Sequence, residues 1–307
     1  MSNDHAVRSR CGVTVLEVLV TTFVVGMLAA LLLPAIQSAR AAARGVVCQS
    51  RLKQLALASH AYAETHGGFV VDLNGRWARV LMPYFEDRRE VLSCPADPLV
   101  SQVAAFSYCM NAGPSILCND GRCFGAGIET HYRPMASITD GLSNTAAYSE
   151  RLSRLFDPTG APVPDAEHAA MAAAEPMRYH WYLGRLYRGR VAGDRLRQDC
   201  ADVSLRRGVL PVRTQYAGGL GGGMRLSGLR YDHLFSPNSV GCYVTPGEGL
   251  EPIHPVWSGT RPATSLHAGL VYVAFADGRV ASTSQSIDIG VWRDLGVRDG
   301  SYDAAEN

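Results

Sequence analysis

The sequence predicts an α+β fold, in which a long N-terminal hydrophobic helix packs on an antiparallel β-sheet domain with loop-rich insertions. Residues 18–36 carry no charge, and residues 37–66 are rich in helix formers that share one apolar stripe. After residue 90, short apolar runs alternate with glycine, proline and asparagine, which is typical of strands separated by turns. With 47% hydrophobic residues among 307, the chain can bury a sizeable core.

The first 36 residues have the features of a membrane-insertion signal. Arg8 and Arg10 precede the apolar segment 13–36, which is long enough as a helix to cross about 30 Å of hydrocarbon. No small-residue cleavage site follows the segment, so we expect it to stay attached. The basic residues predict the cytoplasmic side. Glu17 lies at the start of the apolar run, where a carboxylate is costly unless it finds a partner.

This segment resembles the N-terminus of the type IV pilin and pseudopilin family. Gly12 falls at the last leader position and Glu17 at the fifth mature position, although Val13 stands where the family usually has Phe. Pro34 falls where the family commonly has a helix-kinking proline. The resemblance implies that a prepilin peptidase cuts after Gly12 and methylates the new amino terminus of Val13, and that Glu17 pairs with this amine on a neighbouring subunit. A plain signal anchor is the alternative.

The helix is predicted to continue beyond the membrane to about His66, where Gly67 and Gly68 supply a stop. Spacings of three and four residues form one stripe along it: Cys48, Leu52, Leu55, Ser59 and Tyr62. The predicted organisation is a leader at 1–12, a membrane and assembly helix at 13–36, an amphipathic continuation at 37–68, and a β-rich domain at 69–307 with an insertion around 157–230.

The cysteines predict disulfides outside the cytoplasm, where such bonds are permitted. Cys11 would leave with the leader, and seven cysteines would remain, so at least one thiol is unpaired or bonded to another chain. Cys118 and Cys123 flank a short polar loop and are the best candidate pair. A zinc site of Cys118, Cys123 and His131 is the alternative, although no close Cys-x-x-Cys spacing supports it.

A β-hairpin is predicted near the C-terminus. The apolar run 270–276 is followed by Asp277 and Gly278, which can both take the positive φ of a tight primed turn. Together with His267, these two residues resemble the His-x9-Asp-Gly signature of a large bacterial family of pilin-like proteins, whose domain of unknown function follows a prepilin-type N-terminus. An extended strand would hold His267 and Asp277 beyond hydrogen-bond reach, so we expect a loop cap and a turn rather than a functional pair.

Further blocks resemble the same family in the same order along the chain. The departure is at residues 268–270, which read Ala-Gly-Leu where the family usually has Pro-Gly-Gly. The ordered blocks are residues 33–40, Cys48 with residues 52–55, residues 93–95 around Cys94, residues 138–145 and residues 236–239.

Positive charge in this chain is local. The net charge of +1 argues against a nucleic-acid partner held by bulk electrostatics. One arginine-rich segment, interleaved with aromatic residues, could bind an anionic polymer or headgroup, but we favour a solvated loop or helix face. Its arginines are Arg178, Arg185, Arg188, Arg190, Arg195 and Arg197.

The sequence contains no nucleophile elbow, paired-histidine zinc helix, dinucleotide fingerprint or EF-hand loop, and its histidines lack metal-ligand spacing. We therefore expect a non-enzymatic protein with no catalytic residue, cofactor or metal. The expected function is a pilin-like or pseudopilin subunit of a type II secretion or type IV pilus-like assembly. It would span the inner membrane once, and its partners would be the prepilin peptidase and other pilin-like subunits. An anchored envelope protein that binds an extracytoplasmic polymer or partner is the alternative, followed by an anchored hydrolase.

Overall fold

The computed structural model describes residues 14–71, 76–98, 106–114, 132–152, 170, 174–187, 193–211, 229–246 and 260–300. The predicted cleavage site at Gly12 and Val13 lies outside these ranges, as do Cys118, Cys123 and His131. By its contacts the chain divides into two compact units, residues 1–43 and residues 44–307.

The first unit consists of the N-terminal part of one long helix. Helix α1 runs from Val15 to His66 and continues through Pro34. Every residue from 14 to 44 is exposed, including large apolar side chains such as Leu16 and Phe23, each 70% exposed. By length and composition α1 could cross a membrane, and among the described residues it is the one helix that could. The prediction of a long apolar N-terminal helix is confirmed.

The second unit contains the remaining elements. Its short α-helices include α2 (Arg76–Leu81), α3 (Gly193–Ala201) and α4 (Ile289–Asp294). Its strands are β1 (Phe69–Val70), β2 (Tyr108–Asn111), β3 (Tyr132–Arg133), β4 (Ala146–Glu150), β5 (Tyr179–Tyr187), β6 (Arg206–Pro211), β7 (Arg230–Tyr231), β8 (Gly241–Pro246), β9 (Leu270–Phe275) and β10 (Val280–Ser284). Short 3₁₀ helices lie at Met82–Phe85, Arg89–Leu92, Met135–Ser137, Pro176–Arg178 and Val203–Leu205.

The main sheet has five strands in the order β10-β9-β4-β2-β7. Neighbouring strands are antiparallel except β2 and β7, which run parallel, so the α+β prediction is confirmed with a mixed rather than wholly antiparallel sheet. A parallel pair needs a long crossover connection, and residues 112–229 provide one. Strand β5 pairs antiparallel with β6 and parallel with β8 in a second sheet, so the described part of the predicted insertion is structured. Strands β1 and β3 form an antiparallel pair.

Both faces of the main sheet are covered. On β2, Tyr108 and Met110 belong to the core shared with α1, whereas Cys109 between them belongs to a second core on the opposite face. Strand β9 alternates in the same way, as the two-residue period of a strand requires. Trp292 of α4 lies in the second core. The layers are therefore the second half of α1, the sheet, and α4.

The predicted stripe is the face of α1 that packs on the sheet. Cys48, Leu52 and Leu55 are fully buried, and each buried leucine stabilises the fold by about 1.5–3 kcal/mol. The helix ends at His66, and Gly67 follows with a φ of +77°, as the sequence predicts.

The β9–β10 hairpin is present, but its turn differs from the predicted primed turn. Gly278 has a φ of +84°, whereas Asp277 does not have a positive φ. The Gly278 N–H donates to the carbonyl of Phe275 at 2.9 Å, which describes a type I turn followed by a left-handed residue. The Asp277 carboxylate accepts the backbone N–H of Arg279 at 2.8 Å. This bond satisfies the turn without a strained φ at Asp277.

Removing a side chain from the stripe should destabilise the second unit. Leu52→Ala should lower the free energy of unfolding by about 2–5 kcal/mol, because it leaves a cavity in the core. Leu57 lies on the same helix and is 52% exposed, so Leu57→Ala should cost less than about 1 kcal/mol. Denaturant unfolding of the detergent-solubilised protein, followed by tryptophan fluorescence, measures both. Equal losses in the two variants would contradict this packing.

Candidate functional site

Four side chains from different parts of the second unit meet beside the start of β9. They are Cys48 of α1, Cys94, Glu150 at the end of β4, and His267, and we call them the His267 centre. Cys48 and Cys94 form a disulfide across 46 residues of sequence. His267 Nε2 lies 3.3 Å from Glu150 Oε1 and 3.5 Å from Cys94 Sγ. One potential ligand atom from each residue lies within 4.8 Å of the other three.

Backbone hydrogen bonds hold the His267 centre in place. Glu150 Oε2 accepts the N–H of Tyr272 at 3.0 Å, which fixes the carboxylate plane. The N–H of Cys94 donates to Ser107 Oγ at 2.8 Å. The imidazole of His267 meets the ring of Tyr272 edge-on, with centroids 4.7 Å apart. The side chains are therefore oriented by two strands and by the loop that carries Cys94.

The His267 centre is buried. The side chains of His267 and Glu150 are 9% and 3% exposed. Glu150 Oε1 makes no hydrogen bond within the described part of the chain. The adjoining cavity, lined in part by Cys94 and Glu150, is no larger than a water molecule. A carboxylate, an imidazole and two sulfurs are groups that could hold a metal ion once the sulfurs are reduced.

A buried ion pair lies next to the His267 centre. Arg178 donates to Asp97 Oδ1 at 2.8 Å and to Oδ2 at 3.1 Å, with both side chains at most 2% exposed. The prediction of a solvated arginine face is wrong for Arg178, because this carboxylate compensates its burial. The same prediction agrees with the exposure of Arg195 and Arg197 of α3, whose side chains are 54% and 50% exposed. The side chains of 185, 188 and 190 lie outside the described residues.

The predicted signature residues lie at opposite ends of β9. His267 precedes the strand in the His267 centre, and Asp277 and Gly278 follow it in the hairpin turn. Lys53 of α1 donates its ammonium to the carbonyl of Gly278 at 2.7 Å. The signature therefore marks the two places where the ends of β9 meet the second half of α1.

Glu17 lies in the first turn of α1 and caps its own helix. The Thr14 N–H donates to Glu17 Oε2 at 2.8 Å, and the Glu17 N–H donates to Thr14 Oγ1 at 3.3 Å. This reciprocal pair is a capping box. Sequence analysis missed it, although a threonine three residues before an acid at the start of an apolar run is its signal. Cleavage after Gly12 stays a prediction.

The structure pairs cysteines that sequence analysis left unpaired. Among the described residues, disulfides join Cys48 to Cys94 and Cys200 to Cys242, with Cα atoms 5.1 and 5.9 Å apart. Cys109 is buried, and burial raises the pKa of its thiol to about 12, so the thiol stays protonated at neutral pH. Cys48 and Cys94 each lie in a family-like block, which was the one available signal for their proximity.

Two further histidines are held in the neutral form, of which His233 is fully buried and His180 is half-buried. His233 Nδ1 donates to the carbonyl of Trp292 at 2.6 Å, so its Nε2 accepts from the Tyr231 hydroxyl at 3.1 Å. Burial lowers the pKa of His233 to about 3. Burial also lowers the pKa of His180, whose Nε2 accepts from Arg151 at 2.7 Å. Both imidazoles connect structural elements.

Fold and site together define an α+β protein whose exposed apolar N-terminal helix could cross a membrane and whose second unit is cross-linked by disulfides. Residues 37–89 and 119–290 match the model of a family described as Protein of unknown function (DUF1559). Because the match covers more than two thirds of the chain, the protein belongs to this family, which is associated with pilin-like proteins. No curated protein and no solved structure matches the chain significantly.

The neutral state of His233 predicts a loss of stability in acid. The native pKa lies below the ordinary value of about 6.5, so between these values the unfolded chain binds a proton that the native protein does not. The free energy of unfolding should therefore fall by about 1.4 kcal/mol per pH unit from this residue as the pH drops from 6 to 4.

His233→Gln should make the measured slope of unfolding free energy against pH shallower by about this amount. His66→Gln changes an exposed histidine at the end of α1 and serves as the control. Urea unfolding at several pH values measures both variants. A slope in His233→Gln as steep as in the parent protein would contradict the assignment.

Proposed function

We propose that this protein is a non-enzymatic pilin-like subunit, anchored by α1 in the inner membrane and drawn into a type II secretion or type IV pilus-like assembly. The observation that carries the proposal is the exposure of every residue from 14 to 44. Within this range, residues 18–36 form a continuous uncharged, apolar helical surface, which needs lipid or the helices of other subunits around it. Membership of a family associated with pilin-like proteins supports this role.

Glu17 would set the register of the assembled helices. A carboxylate at this depth costs a few kcal/mol in lipid, and the amine of a neighbouring subunit would offset that cost. In the mature chain the amine belongs to Val13, next to the capping residue Thr14. The capping box holds the Glu17 carboxylate at the very start of α1, where such an amine would approach.

The burial of the His267 centre supports a non-enzymatic role. Its histidine and carboxylate converge, as those of a hydrolase would, but the side chains are at most 9% exposed and the adjoining cavity holds no more than one water. A substrate would have no access to these two groups without opening the domain.

Processing is the first test of the proposal. Mass spectrometry of the protein from its native membrane should find an N-methylated Val13 as the first residue. The apolar helix should remain present, because the peptidase removes only residues 1–12. An intact leader through Gly12 would contradict the proposal and favour an anchored binding protein.

Substitution at Glu17 tests assembly separately from insertion. Glu17→Ala should remain in the carbonate-washed membrane fraction, since the apolar helix is unchanged, yet should be absent from sheared and sedimented filaments. Thr14→Val is the matched control, because it removes the two bonds between the Thr14 hydroxyl and Glu17 and keeps the carboxylate. It should still assemble, with a helix weakened by about 1 kcal/mol. Normal incorporation of Glu17→Ala would show that Glu17 acts only as a cap.

A further inference from the structure

Glu150 and His267 are buried against the Cys48–Cys94 disulfide, although neither side chain takes part in that bond. Glu150 is 2% exposed, and its Oε1 makes no hydrogen bond within the described residues. Burying a carboxylate oxygen in this way is costly unless a cation or a donor approaches it. The imidazole Nε2 lies 3.3 Å from this oxygen and 3.5 Å from Cys94 Sγ, and the hydrogen bond that it makes is with the sulfur. A buried carboxylate oxygen, an imidazole nitrogen and two sulfurs thus lie within 4.8 Å of one another.

The distances fit a tetrahedral metal site. Zinc binds sulfur at about 2.3 Å, imidazole nitrogen at about 2.0–2.1 Å and carboxylate oxygen at about 2.0–2.2 Å. At tetrahedral angles these bonds place nitrogen about 3.6 Å from sulfur and about 3.3–3.5 Å from oxygen. The corresponding distances are 3.5 Å from His267 Nε2 to Cys94 Sγ and 3.3 Å to Glu150 Oε1. The two sulfurs must also separate, and the remaining pairs of ligand atoms lie within 4.8 Å of one another.

We infer that the reduced His267 centre binds one zinc ion through Cys48, Cys94, Glu150 and His267. A dithiol reductant donates two electrons and two protons to the Cys48–Cys94 bond, and leaves as its own disulfide. The two cysteines then carry thiols, and zinc binding releases their protons to solvent. Since the same sulfurs form either the disulfide or the zinc bonds, the two states exclude each other. This inference does not depend on the proposed assembly role.

The surroundings suit such a site. The Tyr272 N–H holds the second oxygen of Glu150, and a hydrogen-bonded carboxylate is typical of metal ligands. Two thiolates and a carboxylate around a divalent cation leave one excess negative charge. Arg51 donates to the carbonyl of Ser93 at 2.7 Å, which places a guanidinium next to Cys94 and offsets part of that charge.

Cobalt(II) titration of the full-length protein in detergent tests this inference. After reduction by a phosphine, one cobalt ion per chain should produce the visible bands of a tetrahedral site and a near-ultraviolet thiolate charge-transfer band. Added zinc should remove both signals, and the oxidised protein should show neither. Failure of the reduced protein to develop these bands would overturn the inference.

Substitutions distinguish metal binding at the His267 centre from metal binding by other cysteines that become thiols on reduction. His267→Gln and Glu150→Gln leave every cysteine in place and should each weaken cobalt binding at least about tenfold. His66→Gln, the matched histidine control, should bind like the parent protein. Unchanged affinity in His267→Gln would overturn the assignment, because the metal would then be held elsewhere.

X-ray absorption of the reduced, zinc-loaded parent protein gives a result that does not depend on the folding of any variant. The zinc should be surrounded by two sulfur atoms at about 2.3 Å and two nitrogen or oxygen atoms at about 2.0–2.1 Å. A shell of four sulfurs, or one without sulfur, would contradict the His267 centre as the site.

Discussion

The second unit depends on the burial of one narrow stripe of α1 against the main sheet. Leu52 and Leu55 fill that interface, and the hydroxyls of Ser59 and Tyr148 lie 2.8 Å apart within it, so the polar groups that the stripe buries have partners. Because a sheet with one uncovered apolar face is not stable in water, the strands and the helix require each other. From residue 14 to residue 44 the same helix is exposed, since no described residue covers it. One continuous element therefore has to satisfy two different surroundings.

The contacts at the two ends of β9 show how the sheet is aligned with this helix. The Lys53 ammonium reaches the carbonyl of Gly278 at one end, and His267 lies against the Cys48–Cys94 disulfide at the other. A stripe of apolar side chains resists separation but allows sliding, since burial is not directional. The hydrogen bond at each end is directional, and at the His267 end its partner Cys94 is covalently joined to α1 through Cys48, so the two contacts align the strand with the helix. This explains why His267 and the Asp277–Gly278 turn, at opposite ends of β9, both contribute to the interface between the sheet and α1.

Elements that follow from short-range residue spacing could be predicted from the sequence, whereas contacts between distant segments could not. The apolar helix, its buried stripe and the β9–β10 hairpin each follow from spacings of two to four residues. The pairing of Cys48 with Cys94, the approach of Glu150 to His267 and the parallel pair β2–β7 depend on how segments separated by 46 residues or more come together. The turn type was missed for another reason: the hairpin loop has three residues, 276–278, closed by Phe275 and Arg279, so among them only Gly278 takes a positive φ.

The position of Cys48 within α1 explains why a covalent disulfide, in addition to apolar packing, stabilises this part of the helix. Cys48 lies one turn after the boundary at Arg44, where the exposed part of the helix ends and the buried stripe begins. Packing along a single stripe can be lost one turn at a time from its end, since each turn contributes only a few kcal/mol. A disulfide that closes a loop of this length adds about 4 kcal/mol by restricting the unfolded chain, without burying any further surface. A link near His66 would close a shorter loop and leave the turn at Gly45 held by packing alone. Cross-linking the first buried turn therefore protects the whole stripe behind it.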